Sequence, residues 1–466
     1  MTLVLILDAI VILLILGCAF WKGLERTLPL IAFLLLLFPY ESQITLTGYF
    51  DLTTQRLIVI LAFVIYAFSS EVKEKRKLPL RYTIFFLMAW MLVASANSVV
   101  FVTSIKSVLS QFFDFFLIYY IFAKSVTRTE TVRKIFYGFV AAMLLLSVIG
   151  IAEIYWDWNV LGLFPEVYHR FANIVGGVND RGGRVQTTFG HPILYGAALA
   201  MTIPMALYLI STSKTTMQKI FLWATTFLIV LNLYKTGSRG PWLAAALSMA
   251  VVMLSGGKQM RRYVIWMGVL AAIVLVARPG IWETISNLYS LTLASETAQG
   301  SSYQWRYALY EQAFLHLNHD FWRALWGYGP ESFYFLGWKG VFQGMIVPFE
   351  SCDSSLAQLM IETGYIGFLL GVSVFVIAGY KAFRSSLKLP QPENLPCVVL
   401  FVNMCAFLFL MSNVAILSWG QQSYMAWIVV ALAMIYPSLA ENEAVAEEES
   451  ETENLAGERR LAEVYR

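Results

Sequence analysis

The sequence is short of charge, of cysteine and of histidine. Only 14% of its 466 residues are Asp, Glu, Lys or Arg, against about 25% in an ordinary soluble domain. That shortage excludes a water-soluble globular fold. The net charge of +3 singles out no partner class, and no nucleic acid is expected. The four cysteines (Cys18, Cys352, Cys397, Cys405) form no CxxC or other metal-like pair, and three lie in or near apolar runs, so they read as inert core thiols. The four histidines include His169, His316 and His319, none with a carboxylate at metal-ligand spacing, so no metal site is expected. The N-terminus lacks a short apolar core followed by a small-residue cleavage site, so no removable signal peptide is expected.

What the chain has in place of charge is apolar length. It is 58% hydrophobic, with a mean hydropathy of +0.65. The expected fold is an all-α polytopic membrane protein. A membrane-crossing helix needs about 20 mostly apolar residues. Candidate runs lie near 2–20, 28–41, 56–70, 80–102, 104–123, 135–156, 190–212, 219–234, 239–256, 263–279, 355–380, 395–417 and 421–438. The expectation is therefore about 12–14 transmembrane helices.

Orientation follows from the loops that collect Lys and Arg. Lys22 and Arg26, then Lys73 to Arg81, then Lys124 to Lys134 mark alternate loops. Lys214 and Lys219, Lys258 to Arg262, and Lys381 to Lys388 continue the set, which is expected to be cytoplasmic. The C-terminal tail then lies inside as well. Residues 1–440 read as a single transmembrane domain that includes outer loops 157–189 and 280–354. Residues 441–466 read as an acidic cytoplasmic tail, with seven Glu in its first thirteen residues, and are expected to be disordered.

The outer face gathers the few remaining cations. "VNDRGGRVQTTFGHPILYGAALAM" places Arg181 and Arg184 around two glycines, with His191 and Pro192 opening a helix. "KTGSRGP" carries Lys235 and Arg239 to the start of the next run. In "SSYQWRYALYEQAFLHL", Trp305, Leu309, Gln312 and Leu315 suggest an amphipathic helix bearing Arg306. "WGYGPESF" reads as a turn, and "FESCDSSLAQLMIETGYIG" sets Glu350 and Asp353 ahead of another span. A single Arg at a span end serves most often as an interfacial anchor. Four in Gly-bearing loops on one face suit a shared anionic ligand, because a planar guanidinium pairs with phosphate through two hydrogen bonds. His191 reads equally as a structural side chain, and Asp353 or Ser354 as a helix cap. The loop aromatics suit either an interface belt or sugar stacking. Asp8 and Asp114, inside apolar runs, should face the bundle interior and be partnered there.

The order of these motifs resembles the O-antigen ligase and O-antigen polymerase superfamily. "TFGHPILYGAALAMTIPMAL" is followed by "TGSRGPWLAAALSM", by an outer loop with "GYG", and by "DSSLAQLMIETGYIG", similar to the pattern HNxxLxxLxExGxxG. The likeness covers roughly residues 185–370. It implies a C-type glycosyltransferase (GT-C-like) fold with periplasmic loop helices, in the bacterial inner membrane with the active site facing the periplasm. It also implies metal-independent, cofactor-free transfer of a glycan from undecaprenyl diphosphate to an acceptor hydroxyl. Arg239 takes the diphosphate-binding role, with Arg181, Arg184, Arg306 and Lys235 assisting. Asp353, Glu350 and His191 are the catalytic candidates. Where ligases carry "HN" this chain has Asp353 and Ser354, which favours polymerisation of lipid-linked repeat units. Transfer to lipid A core or protein is the alternative, and a polytopic transporter the second. The partners implied are the lipid-linked donor, the glycan acceptor and membrane lipid, with a chain-length regulator left open.

The charge bias makes the topology testable. In a chain otherwise free of cysteine, Gly300→Cys should react with an impermeant maleimide in intact spheroplasts. Glu448→Cys should react only after permeabilisation; protection of position 300 would invert the map.

Overall fold

The computed structural model describes residues 2–46, 50–69, 77–156, 158–164, 183–278, 280–283, 286–287, 290, 298–342, 345–349, 351–418 and 420–464. With no water in hydrocarbon to satisfy peptide groups, apolar runs close their own hydrogen bonds as helices. The first helices are α1 (Thr2–Lys22), α2 (Leu24–Leu37), α3 (Thr54–Phe68), α4 (Arg81–Ala96), α5 (Phe101–Gln111), α6 (Leu117–Ser125) and α7 (Thr129–Trp156). Next come α8 (Pro192–Thr212), α9 (Thr216–Lys235), α10 (Arg239–Ser255), α11 (Lys258–Ala277), α12 (Ala298–His319) and α13 (Phe321–Trp326). The last three are α14 (Ser355–Lys388), α15 (Leu395–Met411) and α16 (Gly420–Val464). A π-helical turn, Phe112–Phe116, joins α5 to α6 without a break.

Among the described residues, eight helices are long and apolar enough to cross a membrane: α1, the α5–α6 rod, α7, α8, α9, α11, α14 and α16. Five further runs expected to span form helices of 14 to 17 residues, namely α2, α3, α4, α10 and α15. Two antiparallel hairpins were not expected in an all-α chain. They pair β1 (Gln43–Leu46) with β2 (Phe50–Thr53), and β3 (Lys339–Phe342) with β4 (Met345–Pro348). The last helix, α16, runs through the acidic tail to Val464. The tail's Ala- and Glu-rich composition has the intrinsic helix preference to do so.

Burial sorts the helices into centre and rim. The apolar windows of α8 and α16 are each 94% buried, while that of α11 is only 11% buried. A helix apolar all round belongs in an interior, and α8 packs against α7, α9, α10 and α15. The exposed Leu and Ile side chains of α1 are the surface a lipid environment would cover.

A second, smaller core lies in the segment between α11 and α15. Trp305, Leu309, Ala313 and Leu317 line one face of α12, against Phe333, Trp338, Phe349 and the first turns of α14. The amphipathic helix is where the sequence placed it, but its stripe runs at steps of four. Leu315, expected on that stripe, is 58% exposed.

The junction between this small core and the bundle is a break in α14. Gly364 has φ 65 and ψ −174 inside an otherwise continuous helix. The break frees carbonyls that a regular helix would satisfy. Tyr328 N donates to Ile361 O (2.9 Å), Gly329 N to Glu362 O (2.8 Å) and Trp90 Nε1 to Thr363 O (2.9 Å). The two backbones meet glycine to glycine. A Cβ on Gly364 would overlap the Leu325 carbonyl, and one on Gly327 would sit 2.6 Å from Ile361 O.

Gly364→Ala should therefore destabilise the protein by more than about 1 kcal/mol, since Ala is strained at positive φ. Gly17→Ala, in α1 with nothing within 4 Å of the added carbon, should be neutral or stabilising by about 0.5–1 kcal/mol. Thermal unfolding of the two purified variants checks the contrast.

Candidate functional site

The turn between α9 and α10 is built around one arginine and presents another. α9 ends at Lys235, Gly237 reverses the chain with φ 56, and Ser238 precedes Arg239, the first residue of α10. Arg184 enters from the preceding loop. Its Nε donates to Thr236 O (2.7 Å) and one terminal nitrogen to Ser238 Oγ (2.6 Å). Val185 N donates to Lys235 O at 3.4 Å. Arg184 thus fixes the shape of the turn from which half-buried Arg239 and exposed Lys235 project.

Arg306 reaches the same end of the bundle from α12. Its Nε donates to Asn413 O (3.0 Å), and Nη2 stands 4.0 Å from Asp353 Oδ2. Asn413 follows the end of α15, and a Cβ on Gly240 would lie 3.9 Å from the Asn413 Cβ. The Asn413 turn therefore has the start of α10 on one side and the Arg306–Asp353 pair on another. One helical turn beyond Arg306, the Tyr310 hydroxyl shares a hydrogen bond of 2.6 Å with Ser354 Oγ. Burial raises the Tyr310 pKa above its usual value, partly offset by the Ser354 hydrogen bond and the nearby Arg306 charge. The hydroxyl stays protonated and acts as a donor.

The cap that the sequence left between Asp353 and Ser354 belongs to Ser354. Its Oγ accepts from Ala357 N (3.2 Å), while Ser355 N donates to Val414 O (3.1 Å). Asp353 is left half-buried, with Oδ1 accepting from Ser351 Oγ at 2.8 Å and Oδ2 toward Arg306. Beside it, Cys352 is fully buried, and burial pushes its thiol pKa well above the ordinary range, with the Glu362 charge adding to the shift. That thiol is no nucleophile. His191 caps α8, its Nδ1 accepting from Ile193 N at 3.2 Å, so Nδ1 carries no proton there. Glu350 and Arg181 lie outside the described residues.

The structure thus draws Arg184, Lys235, Arg239, Arg306 and Asp353 to one end of the bundle. Two cations beside one carboxylate can hold an anionic group while a base stands next to it. Tyr310 and Asn413 were not singled out by sequence; each is an ordinary polar residue whose role appears only when α12 docks on the α14–α15 corner. Asp114 was expected to be partnered inside the bundle, and it is. Arg56 grips it through Nε (2.9 Å) and Nη2 (2.8 Å), and Tyr424 donates to it at 3.2 Å. Asp8 likewise accepts from Thr54 Oγ1 at 2.7 Å.

Ser354→Ala should cost about 1 kcal/mol of stability, as loss of a helix N-cap does. Asp353→Ala should stay within about 0.5 kcal/mol, as for a residue without such a role. Thermal or denaturant unfolding of the two variants distinguishes the residues.

Residues 224–372 match the family model described as O-Antigen ligase. The matched stretch runs from within α9, through the Arg239 turn, α12 and the Gly327 turn, to just past the break in α14. It holds Lys235, Arg239, Arg306 and Asp353, and leaves Arg184 and His191 on its N-terminal side. No curated protein matches the chain. About a third of the sequence is thus similar to an O-antigen ligase domain, and that stretch lies in a chain with eight helices long and apolar enough to cross a membrane among its described residues.

Proposed function

We propose that the protein is a metal-independent glycosyltransferase that polymerises undecaprenyl diphosphate-linked repeat units at the periplasmic face of the bacterial inner membrane. The observation that carries this reading is the Arg306–Asp353 pair at the Asn413 turn, beside the start of α10, all within the matched domain or abutting it. An acceptor hydroxyl attacks the anomeric carbon, and the bond from that carbon to the phosphate oxygen breaks. The electron pair leaves on the diphosphate, and the hydroxyl proton passes to the Asp353 carboxylate. Arg239 and Arg306 balance the charge that grows on the leaving group, with Lys235 nearby. A unit charge pair about 4 Å apart contributes about 4 kcal/mol at an effective dielectric of 20. Arg184, already bonded to Thr236 O and Ser238 Oγ, holds the turn that aims Arg239.

A second reading, transfer of a finished glycan to lipid A core or protein, is favoured by the family description itself. The carboxylate at Asp353 weighs toward polymerisation, because it stands where the ligase pattern has a histidine. The glycan that builds up on undecaprenyl diphosphate after deletion of the gene separates the two. Single repeat units support polymerisation, and long finished polymer supports ligation.

Arg239→Lys should reduce polymer at least about tenfold at unchanged protein level. A point charge loses one of two charge-assisted hydrogen bonds, each worth roughly 1.5–3 kcal/mol. Near-normal polymer would make Arg239 an interfacial anchor. Asp353→Asn keeps the size of the side chain and leaves the Ser354 cap in place, so yield should hold while polymer falls and unpolymerised lipid-linked units accumulate. Wild-type polymer from Asp353→Asn would remove it as the base.

A further inference from the structure

A separate polar cavity of about 300 Å³ opens between α3, α5, the π-helical turn, the Gly190 turn and the start of α16. It lies at the small end of the ~300–1,000 Å³ range of ligand pockets, room for one or two sugar rings. Its floor is rigid. The π-turn at Phe112–Phe116 inserts an extra residue into the rod and brings Asp114 to the cavity, where the Arg56 fork and the Tyr424 hydroxyl hold it. A third Arg56 nitrogen donates to Asp51 O at 2.8 Å. Single π-turns inside α-helices recur at functional sites.

The walls are nearly balanced in charge and rich in amides. Three carboxylates (Glu41, Asp114, Glu331) stand against two cations (Arg56, Lys106), a formal sum of −1. That is the wrong sign for a diphosphate and suits a neutral, polyhydroxylated ligand. Gln422 is fully buried on this wall, with Nε2 donating to Leu194 O (2.6 Å), while Oε1 has no hydrogen-bond partner among the described residues. A buried acceptor left unpaired is costly. Glu331 holds φ 60, which a non-glycine residue adopts only under constraint. The constraint is visible on both sides: Ser104 Oγ donates to Pro330 O (2.6 Å), and the Gly327–Gly329 turn is bonded to the break in α14.

The cavity is tied to the Arg306–Asp353 end by shared backbone. Leu417 and Ser418 line it, and the same connection, four residues earlier, offers the Asn413 carbonyl to Arg306. Ser418 Oγ donates to Gln358 Oε1 (2.6 Å), one turn into the helix that Ser354 caps.

We propose that this cavity is the subsite for the acceptor glycan, binding the uncharged sugar ring that carries the attacking hydroxyl, while the arginines near Asn413 hold the donor's diphosphate. The assignment rests on the glycosyltransferase reading above. Its test separates the two halves of the substrate. The glycan probe is the free repeat-unit oligosaccharide released by mild acid from the lipid-linked material of a deletion strain. Its binding to the full-length protein in phospholipid nanodiscs is followed by saturation-transfer NMR. Undecaprenyl diphosphate is titrated separately. Glu331→Ala and Gln422→Met, one at the rim and one in the wall, should each weaken oligosaccharide binding about tenfold, the loss of a hydrogen bond or two, with undecaprenyl diphosphate binding unchanged. Two variants in different elements guard against misfolding of either. Oligosaccharide binding that is absent in the wild type, or unchanged in both variants, overturns the subsite. Arg239→Ala should retain oligosaccharide binding and lose the lipid diphosphate. If it keeps both ligands, the diphosphate clamp fails while the acceptor subsite stands.

Discussion

The break at Gly364 sets the geometry of the segment that carries Arg306 and Tyr310 to the start of α14. A continuous α14 would satisfy its own carbonyls and leave the outer segment nothing to bond. Broken at φ 65, it offers three carbonyls in a row, taken by Tyr328 N, Gly329 N and Trp90 Nε1. Those bonds lock the Gly327 turn, the middle of α4 and the smaller core to one point. Arg306 and Tyr310 reach Asn413 and Ser354 because α12 belongs to that core. Glu331 reaches the polar cavity because the Gly327–Gly329 turn is held on the other side. Two glycines are required since the backbones come closer than any Cβ allows.

The arginines divide by what already binds them. Arg184 is committed to the turn oxygens of Thr236 and Ser238, and Arg56 to Asp114 and Asp51. Both are structural in the strict sense that their hydrogen bonds define where other groups point. Arg306 donates to Asn413 O at 3.0 Å and stands 4.0 Å from Asp353 Oδ2. This ordering follows from solvation. A guanidinium buried among apolar helices must be paired.

The two polar regions differ in charge sign and therefore in chemistry. The end around Asn413 is cationic and suits phosphate. The cavity above Asp114 carries slightly more carboxylate than cation and is lined with amides, the chemistry of hydroxyl recognition. The proposed transfer of a glycan from a lipid diphosphate to a sugar hydroxyl needs both, held at a fixed separation by a rigid frame. The connection from Asn413 to Ser418, shared by the two regions, is such a frame.

Hydropathy and the 3.6-residue period were enough to place the helices, because apolar length and amphipathic spacing are local properties of the chain. The interior pairing of Asp114 was legible for the same reason: charge in so apolar a sequence has few places to go. Partner identity was not legible. Arg56 lies 58 positions from Asp114, and Arg306 lies 107 from Asn413. Asp353 and Ser354 are equal as caps on paper; the Tyr310 hydroxyl and the Met411 carbonyl, brought in from α12 and α15, select Ser354. The α12 stripe fell at Ala313 and Leu317 rather than Leu315 because the face is chosen by what α12 packs on, not by its own period alone. Local apolar runs were enough to mark which segments are helices. Only the tertiary structure decided which of them meet, because that depends on a close glycine-to-glycine contact between segments some forty residues apart.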